Sequence, residues 1–396
     1  MTKRKNAVSY ENAQVWQTHG ITLREKFPEY RTAQEVRREI AAVPQLEEEF
    51  LRLKPQYQED FLNICCGNQG VKILYDSFFK YVFHPDAGKW ALARLISVML
   101  GQDVKDFRIL PNESNLAADY TLVIMDIVVE IADGSIINVE VQKIGYNFPG
   151  QRAACYNADL LLRQYERVRQ DIALRKTEGD NSTDREFNYS MIRPVFTIVF
   201  MEKSTSAFKD FMDIYIHTFT QTSDTGLDLD LLQNYIFIPL DIFRQKLKGK
   251  LDTCVALTEK EAWLAFLSSD EPQVIGLILE QYPEIFRPLY ERICDLCRNT
   301  AEVMNMFSKE LAILDKNTVI MMIEEQRDTI EKLQKELDDK QGTIDQQQGT
   351  IDQQQGTIDQ QQGTIDQQQG TIDQQQALIE DLQKSLEALR KEMRNS

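Results

Sequence analysis

The chain has 396 residues with 42% apolar side chains, enough for a sizeable core and more than one core usually holds, so two or three units are expected. A formal net charge of −17 weighs against binding an anionic polymer over the whole surface, and no apolar run of about 18 residues exists to cross a membrane. Six scattered cysteines are too few for a disulfide framework in a chain of this length, and reduced thiols fit a cytoplasmic protein.

The basic start, Met1-Thr-Lys-Arg-Lys, is followed by no apolar run of secretory length. Residues 1–60 read as a polar helical extension broken at Pro28, Pro44 and Pro55. Ile73-Leu74, Phe78-Phe79 and Val82-Phe83 recur at helical spacing. A second helix is expected over Lys89–Leu100, stopped by Gly101. Asp76 and Lys80 stand one turn apart on the first of these. They suit either an ion pair worth about 0.2–0.5 kcal/mol or the charged border of a site.

After a polar loop, Tyr120–Ile131 and Ser135–Lys143 read as β-branched strands around the turn Asp133-Gly134. Gln151–Arg169 reads as a helix. The segment Gln151–Lys176 carries 6 basic residues against 3 acidic, which leaves room for a local basic face. On it, Arg152 and Tyr156 stand one turn apart, placed either to grip a phosphate or to pack together. Val195–Phe200 and Tyr235–Leu240 are continuous apolar runs of the buried-strand kind. From Thr258 onward the chain reads as helical. Cys294 and Cys297 form a lone CxxC with no second pair nearby, the pattern of two thiols in a buried helix. The expected organisation is an α/β core at 61–250, preceded by the extension at 1–60 and followed by a helical subdomain at 251–322.

The remainder, 323–396, is a heptad tail. Gly342–Gln376 is five perfect copies of Gly-Thr-Ile-Asp-Gln-Gln-Gln. Ile323, Ile330, Leu337, Ile344, Ile351, Ile358, Ile365, Ile372, Ile379 and Leu386 are all seven apart, a single a-register that runs through the repeats in phase. The d positions are Leu333, Leu382 and Leu389 at the ends and glutamine in the repeats. Each repeat also places a glycine outward, costing about 1 kcal/mol relative to alanine. A coiled coil with firm ends and a weak middle is expected, and with it a homo-oligomer; the other reading is a disordered Gln-rich tract. From Glu324 to Ser396 there are 16 acidic and 8 basic residues, so the tail carries about half of the acidic excess.

The hairpin holds the chemistry. Asp126, Val128 and Glu130 alternate with Ile127, Val129 and Ile131; Asn138, Glu140 and Gln142 alternate with Ile137, Val139 and Val141. Asp126 and Glu140 are equidistant from Asp133, so a tight hairpin sets them opposite each other with Cβ atoms about 5 Å apart. The same register matches Ile127 to Val139 and Val129 to Ile137. Facing carboxylates repel. A divalent cation such as Mg²⁺, held by hard oxygen ligands, removes that penalty; a solvated polar face is the plainer alternative.

The series Asp126-x13-Glu140-Val-Gln142 resembles the PD-(D/E)XK nuclease superfamily in its version with glutamine in place of lysine. More closely, the chain resembles the PD-(D/E)XK nuclease family transposases, or Rpn-type recombination-promoting nucleases. The flanking residues carry the closer likeness: Tyr75-Asp76-Ser-Phe78-Phe79-Lys80-x-x-Phe83, then Asp126-Ile127, Asp133-Gly134 and Asn138-Val-Glu140-Val-Gln142, then Phe148-x-x-x-Arg152-x-x-x-Tyr156, Pro194-Val195 with Ile198, and Asp315-Lys-Asn-Thr318. It covers roughly residues 70–330 and leaves out 1–60 and the tail. The resemblance implies a restriction-endonuclease-like α/β core with added helices and a C-terminal coiled coil, in a bacterial cytoplasmic protein that hydrolyses DNA phosphodiesters with Mg²⁺. It implies that Asp126, Glu140 and the Val141 carbonyl hold the metal, that Gln142 orients water or a phosphate oxygen, and that Asp76, Lys80, Arg152 and Tyr156 are accessory. Lys143 is expected on the opposite face. Two other readings stay open: a catalytically weak DNA-binding adaptor on the same fold, suggested by the missing lysine, and a scaffold assembled by the tail.

Overall fold

The computed structural model describes the backbone of residues 22–395 apart from 112, 115–122, 178–185 and 254, and side chains except also at 113–114, 123–124, 175–177, 312, 314–318, 320 and 392–395. The first part of the strand expected over Tyr120–Ile131 and the side chains of Asp315-Lys-Asn-Thr318 therefore lie outside the described residues. The chain divides into two compact units, Met1–Glu325 and Gln326–Ser396.

The elements of the first unit begin with α1 (Ala33–Ala42), α2 (Pro44–Arg52) and α3 (Pro55–Cys65), then α4 (Asp76–Val82) and α5 (Pro85–Leu100). Thr32 and Glu35 close a capping box on α1. Pro44 and Pro55 each take the first position of a helix, where a missing N–H costs nothing, so these prolines start helices as well as breaking them. Gly101 ends α5 in the left-handed conformation. Strands β1 (Phe107–Leu110), β2 (Glu113–Ser114), β3 (Val123–Ile124), β4 (Ile127–Ile131) and β5 (Ile136–Ile144) follow. Next come α6 (Gly150–Thr177), β6 (Val195–Lys203), α7 (Ser206–Lys209), β7 (His217–Phe219) and β8 (Gln233–Pro239). The helices α8 (Leu240–Asp252), α9 (Glu259–Ser268), α10 (Pro272–Gln281), α11 (Pro283–Cys297) and α12 (Thr300–Asn395) complete the chain. Among the described residues, no helix is long and apolar enough to cross a membrane.

Six strands form one mixed sheet in the order β1-β4-β5-β6-β8-β7. The hairpin β4–β5 has the expected register, Ile127 opposite Val139 and Val129 opposite Ile137. The chain then crosses through α6 to bring β6 parallel to β5, and β8 lies parallel to β6. Edge strands β1 and β7 add antiparallel partners that no alternation in the sequence announces.

Both faces of the sheet are covered. Val129, Ile131, Ile137, Val139, Ile198 and Phe200 face a large core, shared with Val36, Ile40 and Phe61 from the N-terminal helices and Phe266, Phe286 and Phe307 from the C-terminal ones. One core thus draws on all three segments expected before the tail. On the other face, Val128, Ile136 and Val199 pack with Phe148, Ala153, Tyr156 and Leu160 around α6. The plainer expectation of a solvated polar hairpin face is corrected here: Asn138 and Glu140 are buried because α6 lies over them. Cys294 and Cys297 are buried thiols of α11, as expected.

In the second unit, residues 326–395 are helical. The a-position side chains from Ile330 to Leu386 are exposed, between 50% and 68%.

The hairpin turn depends on Gly134, whose φ of +88° is a conformation that side chains with a Cβ rarely adopt. Ser135 N–H donates to Asp133 Oδ1 at 2.8 Å and closes the turn. Gly134→Ala would cost about 1–2 kcal/mol and also press on Arg193 Cγ at 3.3 Å. A drop in Tm by thermal denaturation is the expected result.

Candidate functional site

Asp126 sits at the break between β3 and β4, just outside the strand ladder, so its backbone N–H is free to point across the hairpin. That N–H donates to Glu140 Oε1 at 3.2 Å. In return, the Val141 N–H donates to Asp126 Oδ2 at 2.7 Å. Gln142, two residues along the same face, donates from Nε2 to Glu140 Oε2 at 3.2 Å. The sequence-derived trio therefore does meet at one place. Glu140 is only 1% exposed, while Asp126 is partly open.

Burial and repulsion govern the electrostatics. Burial raises the pKa of Asp126, the Asp76 charge adds to this, and the Val141 hydrogen bond, Lys80 and Arg152 oppose it. Burial also raises the pKa of Glu140, reinforced by the charge of Asp126. The two carboxyls titrate as a pair that holds a proton above the ordinary carboxylate range.

The accessory residues border this pair. Lys80 forms an ion pair with Asp76 at 2.8 Å on the exposed rim of α4. Burial would lower its pKa, but Asp76 and then the charges of Asp126 and Glu140 raise it, so Lys80 feels the site directly. From α6, Arg152 donates to the Tyr156 hydroxyl at 2.6 and 2.9 Å and to the Asn147 carbonyl at 2.8 Å. Its guanidinium also pulls both carboxyl pKa values down. Arg152 and Tyr156 are thus both a packed pair and neighbours of the site.

Other candidates are engaged elsewhere. Glu130, which shares the parity of Asp126, pairs with Arg108 and Arg167. Lys143 points to the opposite face, as expected, and pairs with Glu310 of α12. Sequence reasoning missed Glu310; its signal is a carboxylate at helical spacing from Val303 and Phe307, on the buried side of α12. The basic segment around α6 is less available than its composition suggests. Arg163 pairs with Asp159, Arg167 with Glu130, and Arg169 donates to Tyr165; the side chains of Arg175 and Lys176 lie outside the described residues.

Two hard carboxylates, one buried and one partly so, repelling each other, fit a divalent cation, which would lower both pKa values. Among the described residues, no group of three His, Cys, Asp or Glu side chains is placed to hold a metal, so water or backbone oxygen would complete the shell.

Because the folded-state pKa values are raised, the folded state binds protons that the unfolded state releases above about pH 4. Stability is then lost as pH rises from there through the raised values. Glu140→Gln removes the repulsion, so its Tm should exceed that of the wild type by a margin that grows from about pH 5 to about pH 8. Mn²⁺ or Mg²⁺ should raise the wild-type Tm at the higher pH and leave Glu140→Gln nearly unchanged; differential scanning fluorimetry reads both.

No curated protein and no solved structure matches the chain. The family model of the PD-(D/E)XK nuclease family transposases matches residues 73–346. That span runs from the segment before α4, through Asp126, Glu140 and Gln142, into α12. With well over half of its length matched, and every candidate site residue inside the match, the chain belongs to the PD-(D/E)XK nuclease family transposases.

Proposed function

We propose that the protein is a Mg²⁺-dependent DNA endonuclease acting in recombination, mobile-element or defence biology. The observation that carries this is the Asp126–Glu140 pair, Glu140 buried and Asp126 partly so, each carboxyl accepting a backbone N–H across the hairpin. Asp126 and Glu140, with the Val141 carbonyl, would hold the cation. When bound, Mg²⁺ supplies Lewis acidity that lowers the pKa of a water and offsets charge on the phosphate.

The chain's own residues do the rest. Gln142 has no charge to give, but its amide orients a water or a phosphate oxygen while its Nε2 holds Glu140 in place. Positive charge near the scissile phosphate comes from Lys80 and Arg152, the two cations that already act on the carboxylates. Arg152 is held for this by Tyr156 and the Asn147 carbonyl.

A second reading, a DNA-binding adaptor with little catalysis, is favoured by Gln142, which brings no charge to the carboxylate pair. Nicking of supercoiled plasmid with Mg²⁺ separates the two. Asp126→Ala and Glu140→Ala should each lose at least about a hundredfold in rate with folding intact, the scale of removing a metal's catalysis. Full activity in Asp126→Ala would overturn the nuclease reading. DNA retention without nicking in the wild type would favour the adaptor.

The exposed a-position series supports self-association of residues 323–396 as a coiled coil. Sedimentation should give an oligomer for the full chain and a monomer when these residues are removed. Equal masses per chain in both would exclude the tail as the assembling element.

A further inference from the structure

Lys143 and Glu310 form an ion pair with side chains only 10% and 2% exposed. Glu310 Oε1 also accepts the Ser77 N–H at 3.2 Å, at the start of α4. Lys143 Nζ lies 3.9 Å from the centre of the Tyr75 ring, the residue just before α4. Three elements meet at this one pair: the strand end directly after Gln142, the first turn of α4, and α12. A buried ion pair is weak evidence for stability, because apolar replacements of similar size often serve as well. What apolar groups do not reproduce is the directional anchoring of the α4 start by a carboxylate oxygen, together with an ammonium fixed over an aromatic face. Lys80 lies one turn beyond Ser77, on the same short helix, and its charge acts on Asp126 and Glu140.

We propose that the Lys143–Glu310 pair is a positioning device that holds α4, and with it Asp76 and Lys80, against the Asp126–Glu140 carboxylates. Its catalytic consequence rests on the reading of those carboxylates as a nuclease site. Lys143, three residues after Glu140, is thus a positioning residue, and its ammonium is committed to the far face of the sheet.

The test uses the full chain with Lys143→Met/Glu310→Met, which removes both charges and leaves no buried ion unpaired. Hydrogen exchange is the first readout. Amides of α4 should exchange at least about tenfold faster than in the wild type, while those of α9 and α10 stay as they were. The second readout is plasmid cleavage. Here kcat should fall about tenfold with KM within about twofold, the mark of misplaced groups rather than lost binding. In that background Lys80→Ala should cost nothing further, although it slows the otherwise wild-type enzyme. Unchanged protection of α4, or losses that simply add, would overturn the proposal. If the wild type does not cut DNA, the nuclease reading fails and the exchange result alone decides the positioning role. Should the double variant not fold, Lys143→Leu/Glu310→Leu, a smaller pair that also leaves no buried ion unpaired and no acceptor for Ser77, is judged by the same readouts.

Discussion

The reciprocal bonding of Asp126 and Glu140 is the constraint to which the surrounding structure answers. Each carboxylate is held by a backbone N–H from the other's strand, Asp126 by Val141 and Glu140 by Asp126 itself. This exchange needs Asp126 to stand outside the ladder, and the interruption between β3 and β4 provides that. It also needs the hairpin register to be fixed to the residue, since a slip of one would send Glu140 into the opposite core. Two devices fix it: the Gly134 turn, and apolar pairs such as Ile127–Val139 that bury on the face away from the site.

Burial on both faces gives the pair its chemistry. A hairpin with one face in water would leave Asp126 and Glu140 solvated, with ordinary pKa values and little mutual strain. The crossover helix α6 closes the second face with Tyr156 and Leu160, beside Phe148 just before it, and brings Arg152 with it. The energetic penalty of two desolvated like charges is thereby built into the folded state, and a cation is the ligand best able to relieve it. A site that is unfavourable until it is filled gains affinity for its ligand at the expense of stability.

Much of this was legible in the sequence because it follows from local rules. Alternation about Asp133-Gly134 placed Asp126 opposite Glu140 and sent Lys143 to the other face. Gly101 marked the end of α5, and the apolar runs at Val195 and Tyr235 became β6 and β8. What escaped depends on contacts distant in the chain. Nothing near Glu140 says that a helix will cover it, so its polar face read equally well as solvated. Edge strands β1 and β7 are four and three residues long, too short to show a period. Glu310 meets Lys143 across 167 positions, and a carboxylate on the apolar side of a helix names no partner. The basic count around α6 misled partly for the same reason, since Glu130 takes up Arg167 from a distant strand, and partly because Asp159 takes up Arg163 one turn away on the same helix.

At Gln142 the hairpin register and the charge of the site meet. A lysine at that position would bring a positive charge next to Glu140 and would lower both carboxyl pKa values by direct attraction. Glutamine bonds Glu140 without doing so, and the repulsion within the pair stays larger as a result. The cations that do act on the pair, Lys80 and Arg152, come from two helices on different elements of the fold. Charge balance at the site is therefore a tertiary property, set by how α4 and α6 are seated on the sheet. That makes the seating of α4 more consequential here than it would be beside a lysine carried on the strand itself. It also gives the buried Lys143–Glu310 pair a reason to be ionic, since an anchoring carboxylate fixes the first turn of α4 in a way apolar packing does not.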